Sequence, residues 1–237
     1  MKEYPEIRAK ITSKTDVLIR ATQPNVNLDE PFYAINWFST KVEWMYHLYN
    51  ILAVGSVKKN GGKAFFKAKI AEVILDDNKS RRDLILIIRY PGGQKFKALM
   101  ESTYFKMVSI FRVLSVTRFT FGFTHKFEAD TVSKKSDGLY YAVHHFKCES
   151  HVKEIMQKVK LTKPESISIK YSGQVIANLY SQEKNESAVQ IPNLMDALVV
   201  YQAATEEDLK SYFASEAYHE ILNDLPSNYI SLLNRIF

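Results

Sequence analysis

The chain is poor in the residues behind the best-known site chemistries. Of its 237 residues only Cys148 is a cysteine, which excludes an internal disulfide and any cysteine-based zinc or iron-sulfur centre. Eight glycines, about half the usual share, leave little material for phosphate-cradling loops, and no Walker, dinucleotide or nucleophile-elbow spacing occurs. No window approaches the roughly 20 apolar residues that cross a bilayer. Met1 to Lys14 alternates Lys2, Glu3, Glu6, Arg8 and Lys10 with single apolar residues, so a secretory apolar core is lacking there too. A reducing, cytoplasmic setting is the expectation.

What the chain has in quantity is apolar and aromatic surface: 46% hydrophobic residues, with 14 Phe and 14 Tyr. That surface offsets chain entropy and argues for a folded protein. The net charge of +6 permits attraction to polyanions, but the basic residues are scattered in small groups such as Lys58 and Lys59, Arg81 and Arg82, Lys134 and Lys135. Each group reads as a turn or a solvated strand face.

An internal similarity organises the rest. Ala34-Ile35-Asn36-Trp37-Phe38 recurs as Ala142-Val143-His144-His145-Phe146, and Asp83 with its apolar run recurs as Asp196 with Ala197 to Val200. Tyr104 is echoed by Tyr218. The offset drifts from 108 through 113 to 114, as small loop insertions would cause. Each copy reads as β, α, β, β, α, β. The first gives strands at Phe32–Phe38, Lys63–Leu75, Leu84–Tyr90 and around Phe119, Phe121 and Phe123, with helices over Val42–Val54 and Phe96–Phe111. The second gives strands at Leu139–Phe146, Ile167–Leu179, Ala197–Tyr201 and Tyr229–Phe237, with helices over His151–Leu161 and Glu206–Asn223. Thr205 before Glu206, Glu207 and Asp208 reads as an N-cap with an acidic first turn.

This order predicts an α+β fold of two tandem ferredoxin-like (βαββαβ) domains. Residues 1–30 form a lead-in, with a short helix near Ser13 to Ala21; 31–126 form the first domain, 127–137 a polar linker and 138–237 the second domain. Leu84 to Ile88 is apolar at every position, so both faces of the sheet must be covered, which two sheets packed face to face at about 10 Å would achieve.

From Pro31 to about His125 the chain resembles an uncharacterised bacterial family of the dimeric α+β barrel superfamily. That superfamily includes antibiotic-biosynthesis monooxygenase-like domains, muconolactone isomerases and haem-binding chlorite dismutases. The residues that carry the resemblance are Phe32 to Trp37 with Asn36 central, Gly61 and Gly62, Arg89-Tyr90-Pro91, and Tyr104 with Arg112. The second copy matches less well, with His144 in place of Asn36 and Gln202 in place of Pro91. The resemblance implies an intrachain dimeric α+β barrel and a substrate cleft between sheet and helices.

Asn36 is the leading polar candidate, because an amide in an apolar strand costs about 1–3 kcal/mol unless it is bonded. It either orients a ligand or bonds neighbouring backbone. His144 and His145 are adjacent on a strand, point to opposite faces and cannot share one metal. By register with Asn36, His144 is the one to enter the cleft, as a general base or as a histidine bonded to backbone. Asn36 and His144 are therefore the catalytic candidates, and His47, Tyr104 and Arg112 complete the ligand-binding set, with Tyr46 beside them. Haem would require an axial histidine on a helix; His219 is so placed, without a supporting motif. No metal or nucleotide cofactor is expected.

The functional expectation is a small-molecule-binding protein, or a cofactor-independent enzyme of monooxygenase- or isomerase-like type, with a small hydrophobic ligand. The alternatives are a non-catalytic interaction or scaffold module and a single-stranded RNA binder. Arg118 to Phe123 resembles an RNA-recognition signature, but it falls on the fourth strand where that signature belongs on the third, which argues against nucleic acid. The chain is expected as a monomer or as a homodimer joined through outer strand edges.

Overall fold

A computed structural model describes residues 30–77, 82–127, 140–148, 151–182 and 196–236, with 177–182 as backbone alone. The lead-in with its short helix and nearly all of the linker lie outside the described residues. The first six elements are β1 (Phe32–Thr40), α1 (Glu43–Lys59), β2 (Lys63–Asp76), β3 (Leu84–Tyr90), α2 (Gly93–Glu101) and α3 (Thr103–Ser115). Then come β4 (Val116–Lys126), β5 (Tyr140–Lys147), α4 (Val152–Thr162) and β6 (Ile167–Gln182). The chain finishes with β7 (Ala197–Ala203), α5 (Glu206–Phe213), α6 (Glu216–Asn223) and β8 (Ser227–Arg235).

The strand order corrects the expected fold class. The eight strands follow one closed barrel order, β1-β3-β2-β8-β5-β7-β6-β4, accompanied by six helices among the described residues. They are not two tandem ferredoxin-like sheets packed face to face. The physical reason lies at the edges, because a four-stranded sheet standing alone leaves two rows of unpaired N–H and C=O groups. β2 instead takes β8 as an antiparallel neighbour, from Ala68 opposite Arg235 to Asp76 opposite Tyr229, with bulges between Ile70 and Glu72 and between Val73 and Leu75.

The described residues fall into two compact units. The first holds 30–66, 83–123 and 176–182; the second holds 67–77, 82, 124–127, 140–148, 151–175 and 196–236. In the first, β1 and β3 pair antiparallel, Phe32 with Tyr90 through Phe38 with Leu84. Both faces of this pair are covered: Ile35, Trp37, Ile85 and Ile87 are inaccessible on one side, and Phe32, Ala34 and Leu84 are buried on the other. Gly61 and Gly62 carry the turn from α1 into β2. Gly61 sits at φ 76, and a Cβ on Gly62 would come within 2.6 Å of Val57 and 2.8 Å of the Tyr90 ring, so neither position tolerates a side chain.

In the second unit β5 is central, paired with β7 on one side and β8 on the other. Its helix-facing core is one continuous cluster joining Ala142, Phe146, Val159, Tyr201, Leu209, Tyr218 and Ile230 among others. Thr205 caps α5 as the sequence indicates, its hydroxyl accepting from the Asp208 amide at 3.1 Å. The second helix of each half is broken, however. Ser102 and Ser215 each end one helix and cap the next, accepting from the amides of Phe105 and Tyr218.

Candidate functional site

Alternation along β1 turns Phe32, Ala34, Asn36 and Phe38 toward the helices of the first unit. Phe32 and Ala34 belong to one apolar cluster with Tyr90, Phe96, Phe105, Val108 and Phe123. Phe38 belongs to another with Tyr46, Leu84, Val116 and Phe119. Asn36 falls between them, so the helix-facing core is interrupted at the amide. Around that interruption Leu86, Ile88 and Phe121 on the central strands, and Tyr49 on α1, are only half-buried. Tyr49 and Phe121 pack against both clusters and bridge them beside Asn36.

The polar groups of this gap are few. Asn36 Nδ2 donates to the carbonyl of Leu86, its register partner, at 3.3 Å. Arg112, from the last turn of α3, lays its guanidinium over the Phe119 ring at 4.8 Å. Its Nε is buried with no hydrogen-bond partner among the described residues. Three phenols feel its charge. Burial pushes Tyr46, Tyr49 and Tyr90 above the ordinary tyrosine range, and the Arg112 charge pulls each back. All three are neutral hydroxyls. A guanidinium with an unpartnered Nε, an amide and phenols among aromatic faces are the chemistry that recognises a flat apolar molecule bearing an anionic oxygen.

Of the five residues singled out from sequence, Asn36 and Arg112 come to this same sheet–helix layer. His47 is exposed on the outward side of α1. Tyr104 is also exposed and donates its hydroxyl to Leu52 O at 3.2 Å. His144 lies in the second unit, fully buried, its Nε2 at 2.9 Å from Asn228 Oδ1 and its Nδ1 at 2.7 Å from the Tyr218 hydroxyl. Burial lowers its pKa to about 4, the Asn228 contact opposing. The space about it is filled by Tyr201, Tyr212, Phe213 and Tyr218, whose rings pack on one another 4.7 to 6.4 Å apart. Tyr49 and Tyr90 were not chosen from sequence. Their signal was there, since Tyr49 follows Tyr46 at helical spacing and Tyr90 shares the strand face of Leu86.

A separate cavity of about 560 Å³ in the second unit is lined by Cys148, His151, Glu154, Ile155, Lys158 and the 223–226 turn, and contains none of those five. Burial, and secondarily Asp196, push the Cys148 thiol up to about 11, so it stays protonated. The residues do not fit haem: His219 is exposed on α6, its Nδ1 bonded to Ser215 O at 2.9 Å, and lines no described cavity. Among the described residues no group of three or more His, Cys, Asp or Glu is arranged to hold a metal ion.

No family model and no curated protein matches the chain. Solved structures do match. A candidate monooxygenase from Fusobacterium nucleatum aligns at TM-score 0.51 and 11% identity over 88% of this chain and 93% of that one. An anthrone oxidase-like protein aligns at 0.52 and 10% identity over 88% and 92%. A mutant chlorite dismutase from Candidatus Nitrospira defluvii aligns at 0.51 and 9% identity over 89% and 93%. The likeness is one of fold.

Proposed function

We propose that the protein is a cytoplasmic small-molecule-binding protein, or a cofactor-independent enzyme of monooxygenase- or isomerase-like type, whose ligand enters the gap between the two aromatic clusters of the first unit. The single observation that carries this reading is Arg112, half-buried among aromatic rings with its Nε unpartnered. A guanidinium so placed favours negative charge on a bound oxygen, and Asn36 and the neutral phenols fix its orientation. Tyr46, Tyr49, Tyr90, Asn36 and Arg112 are the residues assigned to the site. His144 is assigned a structural role, because its cleft is filled by its own tyrosines.

Thermal-shift titration with aromatic carboxylates such as 2-naphthoate, and with 2-naphthol as the phenolic probe, tests this. Ligand at about 100 times its Kd adds about 2.7 kcal/mol of stability, a rise of several degrees in Tm. Arg112→Gln and Asn36→Ala abolish the shift, while His144→Gln keeps it. A panel that moves no melting temperature, or a shift indifferent to Arg112→Gln, would leave the scaffold reading in its place.

A further inference from the structure

The outward face of the helix pair α1 and α3 in the first unit is apolar where a solvated helix face is ordinarily polar. The two helices lie antiparallel, joined by the Tyr104–Leu52 bond and by the amides of Lys41 and Val42 donating to Ser115 O at 2.7 and 3.2 Å. Exposed positions fall at 43, 44, 47, 51, 54, 55, 58 and 59 on α1, and at 103, 104, 106, 107, 110, 113 and 114 on α3, one broad face on each. Trp44 is 67% exposed, Ile51 and Met107 57%, and Ile110 58%. With Val54, Tyr104, Val113 and Leu114, all at 46% or more, they present on the order of 800 Å², the share each partner gives a standard-size interface.

Gly55 lies within the α1 face. A Cβ there would meet nothing within 4 Å, so no described neighbour requires glycine, although a mid-helix glycine disfavours the helix. Ile51, Val54, Gly55 and Lys58 stand at i, i+3, i+4 and i+7, the corners of a hole that receives a knob from a facing helix. The missing side chain at Gly55 widens that hole to the size of an aromatic ring.

We propose that this face is closed by a second copy of the chain, with α1 antiparallel to its counterpart across a two-fold axis near Ile51. Trp44 of each copy then enters the Gly55 hole of the other. Glu43 in the first turn of one α1 meets Lys58 and Lys59 in the last turn of the other. The ends of this helix thus complement themselves, as an isologous contact requires. Among the described residues the closed strand order leaves no free edge for strand pairing between copies.

Sedimentation equilibrium of the full chain over a hundredfold concentration range is expected to show a dimer. Ile51→Arg and Gly55→Leu each raise its dissociation constant at least tenfold while leaving the circular dichroism spectrum unchanged. Because the native Cys148 is buried, Ile51→Cys is expected to cross-link to itself on mild oxidation, and Glu165→Cys, on the exposed turn after α4, is not. A monomer at every concentration overturns the proposal, as does a dimer indifferent to both substitutions. A monomer that instead sediments with phosphatidylserine vesicles reassigns the face to a lipid surface.

Discussion

His144 is held in one tautomer by its two partners. The Asn228 side-chain oxygen can only accept, so Nε2 carries the proton and Nδ1 accepts from the Tyr218 hydroxyl. Tyr218 in turn receives the Tyr201 hydroxyl at 3.3 Å, which makes a directed chain of three donors in a dry interior. Tyr218→Phe keeps the ring and removes the donor, leaving Nδ1 buried and unpaired. The expected loss is about 1–3 kcal/mol, read as a lower urea midpoint at constant m. The histidine was legible from its register with Asn36. Its partner was not, because Tyr218 lies 74 residues along the chain and strand alternation says nothing about what a distant helix brings. The same reasoning separates the other candidates. Asn36 was legible as the amide in an apolar strand. His47 sits one residue after the buried Tyr46, and a step of one along a helix turns the side chain about 100° away, here toward solvent.

Where the sequence reads one long second helix in each half, the structure has two short ones. The apolar periodicity continues across the break, which is why spacing alone does not reveal it. The local signal is a serine. Ser215 both accepts from the Tyr218 amide at 3.3 Å and donates to Tyr212 O at 2.7 Å, stitching the end of α5 to the start of α6. This corner delivers Tyr218 to His144, so the cap and the buried network are coupled through one short turn. Ser215→Ala is expected to cost about 1 kcal/mol. In a chain of this size that corresponds to a fall of about 2–4 °C in Tm, measurable by differential scanning calorimetry.

Two buried histidines set how the whole molecule responds to acid. Burial lowers His144 to about 4 and His145 to about 3, with the neighbouring His144 adding to the latter. Unfolded chains take up these protons near pH 6.5, and the folded state refuses them until well below pH 5. Each histidine therefore contributes stability that is complete above pH 6.5 and drains as pH falls, at up to about 1.4 kcal/mol per pH unit. Urea denaturation is expected to show up to about 4 kcal/mol less stability at pH 5 than at pH 7.5; equal midpoints at the two would contradict the buried neutral pair. At this scale the element order was legible, since alternation and helical spacing locate nearly every strand and helix. The closure was not. Which strand edge meets which is decided by backbone hydrogen bonding, and β2 carries no side-chain mark that names β8 as its neighbour.

That neighbour has a consequence in time. Asp76 waits for Tyr229, roughly 150 residues further along, before its side of β2 has a mate. During synthesis at about 5–20 residues per second, this stretch of backbone stays unsatisfied for many seconds. Its exposed Lys69 and Glu72 are charges that would keep a stray strand from docking there first.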